Sequence, residues 1–190
     1  MKNYKFVLAS NSPRRRELLA GLDIPFEVKV LDGVDESYPS DLAAEKVSEY
    51  ISVEKAAAYR DSISDDELLI TADTVVILDN EIMGKPQSEQ EAKEMLGRLS
   101  GRTHLVTTGV CLTTKEKQHH FSVSTKVSFK TLSADEINYY VEHYKPMDKA
   151  GAYGIQEWIG YIGVTSLNGS YFNVMGLPVQ RIYTEILKIV

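Results

Sequence analysis

A chain of 190 residues can bury a substantial core, and it fits one domain spanning residues 1–190 more easily than two. A hydrophobic fraction of 43% with 25% charged residues excludes a disordered chain. A formal charge of −6 argues against broad binding of nucleic acid, which needs a basic surface, but leaves room for a small anionic substrate if cations are concentrated locally.

The first predicted elements are a buried strand over Tyr4–Ala9 and a helix that starts at Pro13. Ser12 suits the N-cap, and proline suits the first helical position, where its missing N–H is no loss. Such an N-terminus exposes unpaired N–H groups and the positive end of the macrodipole, so it attracts anions. Two later helices, opened by Ser88-Glu89-Gln90-Glu91 and Ser133-Ala134-Asp135-Glu136, read as capping boxes that place a carboxylate at the third position. Here that position is Arg15, flanked by Arg14 and Arg16. Either an outside anion belongs there or the arginines form a solvated face.

Gly21 marks the helix end, and Phe26–Val30 alternates like a strand. The turn-rich Leu31–Pro39 carries Asp35 and Glu36, which are either metal ligands or solvated loop acids. A helix follows from Asp41 to about Tyr59, with Lys55 on its apolar stripe; the lysine reads as a snorkelling side chain, though it is also placed to reach a phosphate. Leu68–Ala72 and Val75–Leu78 are buried-strand material interrupted by Asp73-Thr74. A carboxylate in such a run costs several kcal/mol roughly unless it is paired, bound to a cation or turned into a cleft. Asp73 is therefore the strongest candidate for a chemical group, the bland alternative being a bonded bulge or turn.

After a turn at Asp79-Asn80, Ile82–Pro86 returns toward that strand and carries Lys85 as a possible second cation. The helix opened by Ser88 stops at Gly101, and two alternating strands, Val106–Leu112 and Phe121–Phe129, form an antiparallel pair around a polar turn. The helix opened by Ser133 ends at Pro146. Asp148–Gln156 follows, in which two glycines allow close backbone approach and Gln156 offers both a donor and an acceptor. Gly169–Pro178 leads into a last helix, Pro178–Ile189. The expected architecture is a mixed α/β domain, an elongated twisted sheet flanked by helices with two lobes around a cleft. Cys111, the single cysteine, reads as a packed thiol; His104, His119, His120 and His143 lack the spacing of a zinc site. With no signal peptide and no apolar run of membrane-spanning length, a cytoplasmic protein without membrane contact is expected.

Taken together, Ser10-x-x-Pro13-Arg14-Arg15-x-Glu17-Leu18-Leu19, Asp35-Glu36, Lys55-Ala56, Ala72-Asp73-Thr74, Gly84-Lys85-Pro86, Ser100-Gly101-x-Thr103-His104, Asp148–Gln156 and Gly176-Leu177-Pro178 resemble, in order, the motifs of the Maf family of nucleoside triphosphate pyrophosphatases. The resemblance implies hydrolysis between the α and β phosphates with Mg²⁺ or Mn²⁺, a fold like that of the inosine-triphosphate pyrophosphatases, and a homodimer. It also implies roles. Ser10, Arg14 and Arg15 would hold phosphate oxygens, and Lys55 and Lys85 would neutralise charge on the triphosphate. Glu36 and Asp73 would hold the metal, with Asp73 also orienting or deprotonating the attacking water. Thr74 and Gln156 would read the base, in the manner of the branch that takes dTTP, UTP and modified pyrimidine triphosphates; the 7-methyl-GTP branch differs at those two positions. A nucleotide-binding regulator of septum formation is the alternative of another class. The acidic pair Glu36 and Asp73 speaks against it, because a pure binder of a polyanion gains nothing from carboxylates beside its cradle.

Overall fold

A computed structural model describes residues 4–189. The chain begins with β1 (Lys5–Leu8), α1 (Pro13–Ala20) and β2 (Phe26–Val28), a parallel βαβ unit in which Phe6 lies opposite Phe26. Next come α2 (Ala44–Ala58), β3 (Glu67–Leu78), β4 (Glu81–Met83), α3 (Glu89–Leu99), β5 (Thr103–Thr113) and β6 (Gln118–Phe129). The chain then continues through α4 (Ala134–Tyr144), α5 (Trp158–Gly163), β7 (Val164–Asn168), α6 (Tyr171–Met175) and α7 (Val179–Ile186). One mixed sheet of seven strands has the order β2-β1-β3-β5-β6-β7, with β4 pairing antiparallel to β3. β1 runs parallel to β3, and β6 antiparallel to β7. The expected mixed α/β class is the observed one. No helix among the described residues is long and apolar enough to cross a membrane.

Contacts group the chain into two compact units. The first holds the chain up to Asp73, Thr108–Val123 and the stretch from Gly176 onward; the second holds Thr74–Thr107 and Ser124–Met175. In the first, Val7, Leu69 and Cys111 pack with Ala56, Tyr59 and Ile63. Cys111 is a buried free thiol, as its apolar setting suggests. In the second, Leu96, Leu99, Tyr140, Val141 and Ile159 form a core with Val76, Val127 and Phe129.

Several elements differ from expectation for identifiable reasons. Asp73 and Thr74 do not interrupt a strand: β3 runs unbroken through twelve residues, because backbone pairing is indifferent to a polar side chain whose charge is matched elsewhere. What breaks is the burial pattern, which turns from buried to half-buried at those two residues. Of the two capping boxes, only Ser133 with Glu136 is reciprocal. Ser88 does cap Glu91, but the Glu91 carboxylate accepts from the Gln87 N–H instead. β2 stops at Val28, on the outer edge of the sheet, where Val28 and Val30 lie open to solvent. α2 starts at Ala44 rather than Asp41 and has no side-chain cap; a turn closed by Leu42 N–H on the Pro39 carbonyl precedes it. α7 ends at Ile186, short of Ile189.

Candidate active site

The Ser10–Arg16 turn is built as its sequence suggests. Ser12 caps α1 by accepting from the Arg15 N–H at 3.4 Å, Pro13 opens the helix, and the nearly buried Ser10 hydroxyl accepts from the Ser12 N–H at 3.2 Å. Arg16 folds back on the turn, with Nε on the Ser10 carbonyl and Nη2 on Asn11 Oδ1, both at 3.4 Å. Arg15 instead reaches across the first unit. Its Nε donates to the Gly176 carbonyl at 2.8 Å and its Nη1 to the Ala72 carbonyl at 2.9 Å. The helix start is thereby tied to the strand position just before Asp73. Burial pulls the Arg15 guanidinium below its ordinary pKa; Asp73 and Glu36 oppose that pull, and Arg14 adds to it. These four charges therefore share one neighbourhood.

The position of α2 decides where Lys55 goes. Thr71 Oγ1 donates to the Ser52 carbonyl at 2.7 Å, which docks the helix on β3. Gly109 of β5 lets the helix backbone come closer still, since a Cβ there would lie 2.2 Å from the Glu49 nitrogen. Thr71 and Asp73 share a face of the strand, and Ser52 and Lys55 share a face of the helix, so the same docking that bonds the first pair brings the second together. Lys55 Nζ lies 2.9 Å from Asp73 Oδ1 and 2.8 Å from Glu36 Oε1. The Lys55 and Asp73 side chains are each 14% exposed, so this is a partly desolvated contact rather than a surface pair. Lys55 is thus an ion-paired group, not a snorkelling one. Of the two loop acids, Glu36 makes this contact, while Asp35 closes its own turn by accepting from the Ser37 N–H and hydroxyl, both at 2.8 Å. Those bonds hold the Asp35 carboxyl below its usual pKa.

Among the described residues no group of three or more His, Cys, Asp or Glu is placed to hold a metal ion. The donor set is the pair Glu36 and Asp73. Both reach one cationic nitrogen, the Lys55 ammonium, through a single oxygen each, Glu36 Oε1 and Asp73 Oδ1. Two carboxylates suit a hard ion such as Mg²⁺, whose remaining positions are commonly filled by water and phosphate oxygens.

Thr74, Lys85 and Gln156 belong to the second unit. Lys85 is exposed, and its position is set by Gly84, whose carbonyl accepts from the Gly151 N–H at 3.0 Å. Gly151 adopts a φ of +66°, and a Cβ there would meet Val76 at 3.0 Å, so the residue type at this turn is dictated twice over. Gln156 Oε1 is a buried atom without a hydrogen-bond partner. Sequence reasoning missed the groups that hold this segment. Lys149 Nζ pairs with Asp148 at 2.8 Å and Glu157 at 3.2 Å, the Tyr140 hydroxyl donates to Glu157 Oε2, and the Gly154 N–H donates to that hydroxyl at 3.0 Å. Tyr140 lies on the apolar stripe of α4, where nothing in the pattern separates it from an ordinary core residue.

His104 supports the same segment. Its Nε2 lies 2.7 Å from the Tyr153 hydroxyl, Nδ1 is buried without a partner, and the ring stands edge-on to Phe129 and Tyr153. Burial lowers its pKa from 6.5 to about 4. The folded protein therefore resists a proton that the unfolded chain accepts, so the contribution is complete above pH 6.5 and is lost as pH falls toward 4. The loss amounts to about 3 kcal/mol. Denaturant midpoints measured from pH 7 to 4 should fall less steeply in His104→Gln than in the parent, and parallel slopes would remove His104 as the cause.

The family model described as Maf-like protein matches residues 5–189. The chain belongs to the Maf family. A Maf relative from Phocaeicola vulgatus, named dTTP/UTP pyrophosphatase, is 61% identical over 100% of this chain and 98% of its own length. A relative of the same name from Bacteroides thetaiotaomicron is 57% identical over 100% of this chain and 98% of its own. Among solved structures, a HAM1 protein from Coxiella burnetii aligns over 97% of this Maf chain and 99% of its own, with a TM-score of 0.50 and 13% identity, which shows a shared fold.

Proposed function

We propose that this chain hydrolyses the α–β phosphoanhydride of dTTP and UTP, and of modified pyrimidine triphosphates, to the monophosphate and pyrophosphate. The observation that carries the reading is the Lys55 bridge: one ammonium held between Glu36 and Asp73, beside Arg15 at the start of α1. Cations alone would suit any binder of a polyanion. Carboxylates among them suit hydrolysis, which needs a base for water and an anchor for a divalent ion. The names carried by full-length relatives at 61% and 57% identity support the same reading and its pyrimidine preference.

In this reading Ser10, Arg14, Arg15 and the first amides of α1 hold phosphate oxygens, and Lys55 and Lys85 offset charge on the triphosphate and on the departing pyrophosphate. Phosphoryl transfer asks a protein mainly for such positioning and charge stabilisation. Asp73 Oδ1 is engaged by Lys55, and Oδ2 is the oxygen we assign to the attacking water. The water oxygen bonds to the α phosphorus as the bond to the bridging oxygen breaks, and the water proton passes to Asp73. Glu36 and Asp73 would hold Mg²⁺ or Mn²⁺, which polarises the phosphate oxygens when bound. Thr74 and Gln156 read the base. Gln156 suits this role by its chemistry, because its amide oxygen is an acceptor that matches the N3–H of uracil and thymine but not the bare N3 of cytosine.

Pyrophosphate release from dTTP, UTP, CTP, GTP and 7-methyl-GTP with Mg²⁺ or Mn²⁺ tests the proposal. Selective turnover of dTTP and UTP is expected. Tight nucleotide binding without turnover on any of the five would overturn it in favour of a regulator.

A further inference from the structure

The Asp148–Glu157 segment contains a connected set of polar groups that none of the roles above uses. Glu157 directly follows Gln156, and its carboxylate is held from two sides: Oε1 by Lys149 Nζ at 3.2 Å and Oε2 by the Tyr140 hydroxyl. That hydroxyl in turn accepts from the Gly154 N–H at 3.0 Å. Tyr140 is fully buried, and the Lys149 side chain is 9% exposed. Gly154 is pressed against the side chains of Gln156 and Glu157. A Cβ there would come within 3.0 Å of the Glu157 carboxyl carbon and 3.1 Å of Gln156 Nε2. One hydroxyl thus fixes the backbone at Gly154 and the carboxylate of Glu157, and the Gln156 amide lies against Gly154 with its Oε1 buried and unpartnered.

We propose that the Tyr140–Glu157–Lys149 chain is a positioning device for Gln156, and so a determinant of base specificity. The inference rests on the base-reading role given to Gln156 above. A single amide discriminates between bases only if it presents one orientation; an amide free to rotate offers an acceptor in one orientation and a donor in the other, and so takes cytosine as readily as uracil. Gln156 Oε1 makes no hydrogen bond that would hold the amide in one orientation. Orientation must come from the neighbours, and Glu157 and Gly154 are the neighbours that the structure locks. A buried network of this kind is effective only when every member is satisfied, which makes Tyr140, with both a donor and an acceptor role, its most sensitive point.

The test compares Tyr140→Phe, Glu157→Gln, Glu157→Ala and Gln156→Ala for kcat and KM with UTP and CTP. The ratio of UTP to CTP dissociation constants in EDTA gives a readout that does not depend on turnover. Tyr140→Phe is expected to raise KM for UTP about tenfold with kcat nearly unchanged, and to lower the preference for UTP over CTP by about tenfold, the effect of one hydrogen bond. Glu157→Gln keeps an acceptor for the hydroxyl and should retain most of the preference, whereas Glu157→Ala should lose it. If Tyr140→Phe and Glu157→Ala only lower the melting temperature while Gln156→Ala abolishes the preference, the inference falls and the base-reading role stands. If Gln156→Ala keeps the preference, both fall.

Discussion

Asp73→Asn should lower kcat for UTP by about 10²- to 10⁴-fold, the usual contribution of a positioned general base. The fold should survive. Asparagine keeps the volume and one oxygen for Lys55, and Lys55 keeps Glu36 at 2.8 Å, so neither the strand nor the ammonium loses all its partners. Removing the charge from a pair that is 14% exposed on both sides, with Glu36 still opposite the ammonium, costs about 1.5–3 kcal/mol, too little to unfold an ordinary domain. Nucleotide binding should persist, because the cations that hold phosphate are untouched and one repelling carboxylate is gone. Single-turnover release of pyrophosphate beside a binding isotherm separates these outcomes. Near-normal turnover would move the base role away from Asp73; lost binding with lost stability would make Asp73 a structural residue instead.

How far the sequence led is clearest at particular residues. Asp73 announced itself because a carboxylate in an apolar run needs a partner, and Lys55 is that partner. The pairing itself was not legible. It depends on Gly109 admitting α2 to β5 and on Thr71 bonding the Ser52 carbonyl, contacts whose members are far apart in the chain. Asp35 and Glu36 were indistinguishable by type, and the loop backbone separates them by turning Asp35 onto Ser37 and Glu36 toward Lys55. The short elements α5, β7 and α6 escaped periodicity altogether, since five or six residues are too few to show a repeat. Tyr140 was invisible for a different reason: a buried hydroxyl on an apolar stripe looks like core until its two partners are seen.

Arg15→Ala should cost the protein twice, and the two losses are separable. The guanidinium bonds the Gly176 carbonyl, 161 residues away in the chain, and the Ala72 carbonyl beside Asp73. Leaving two partly buried carbonyls without that donor should lower stability by about 2–4 kcal/mol. Loss of the cation should also reduce kcat/KM for UTP by about 10²-fold or more, since phosphate loses a charged donor and Asp73 loses the brace on its strand. Arg15→Lys distinguishes strut from ligand. A single ammonium supplies charge but cannot reproduce the planar fork that spans two carbonyls, so charge alone should restore binding while stability stays low. If lysine restores neither, the anchoring geometry dominates and Arg15 acts on the reaction by holding Ala72 and Asp73 in place. If alanine changes stability but leaves kcat/KM intact at a temperature where the variant is folded, the phosphate role passes to Arg14 and the helix amides.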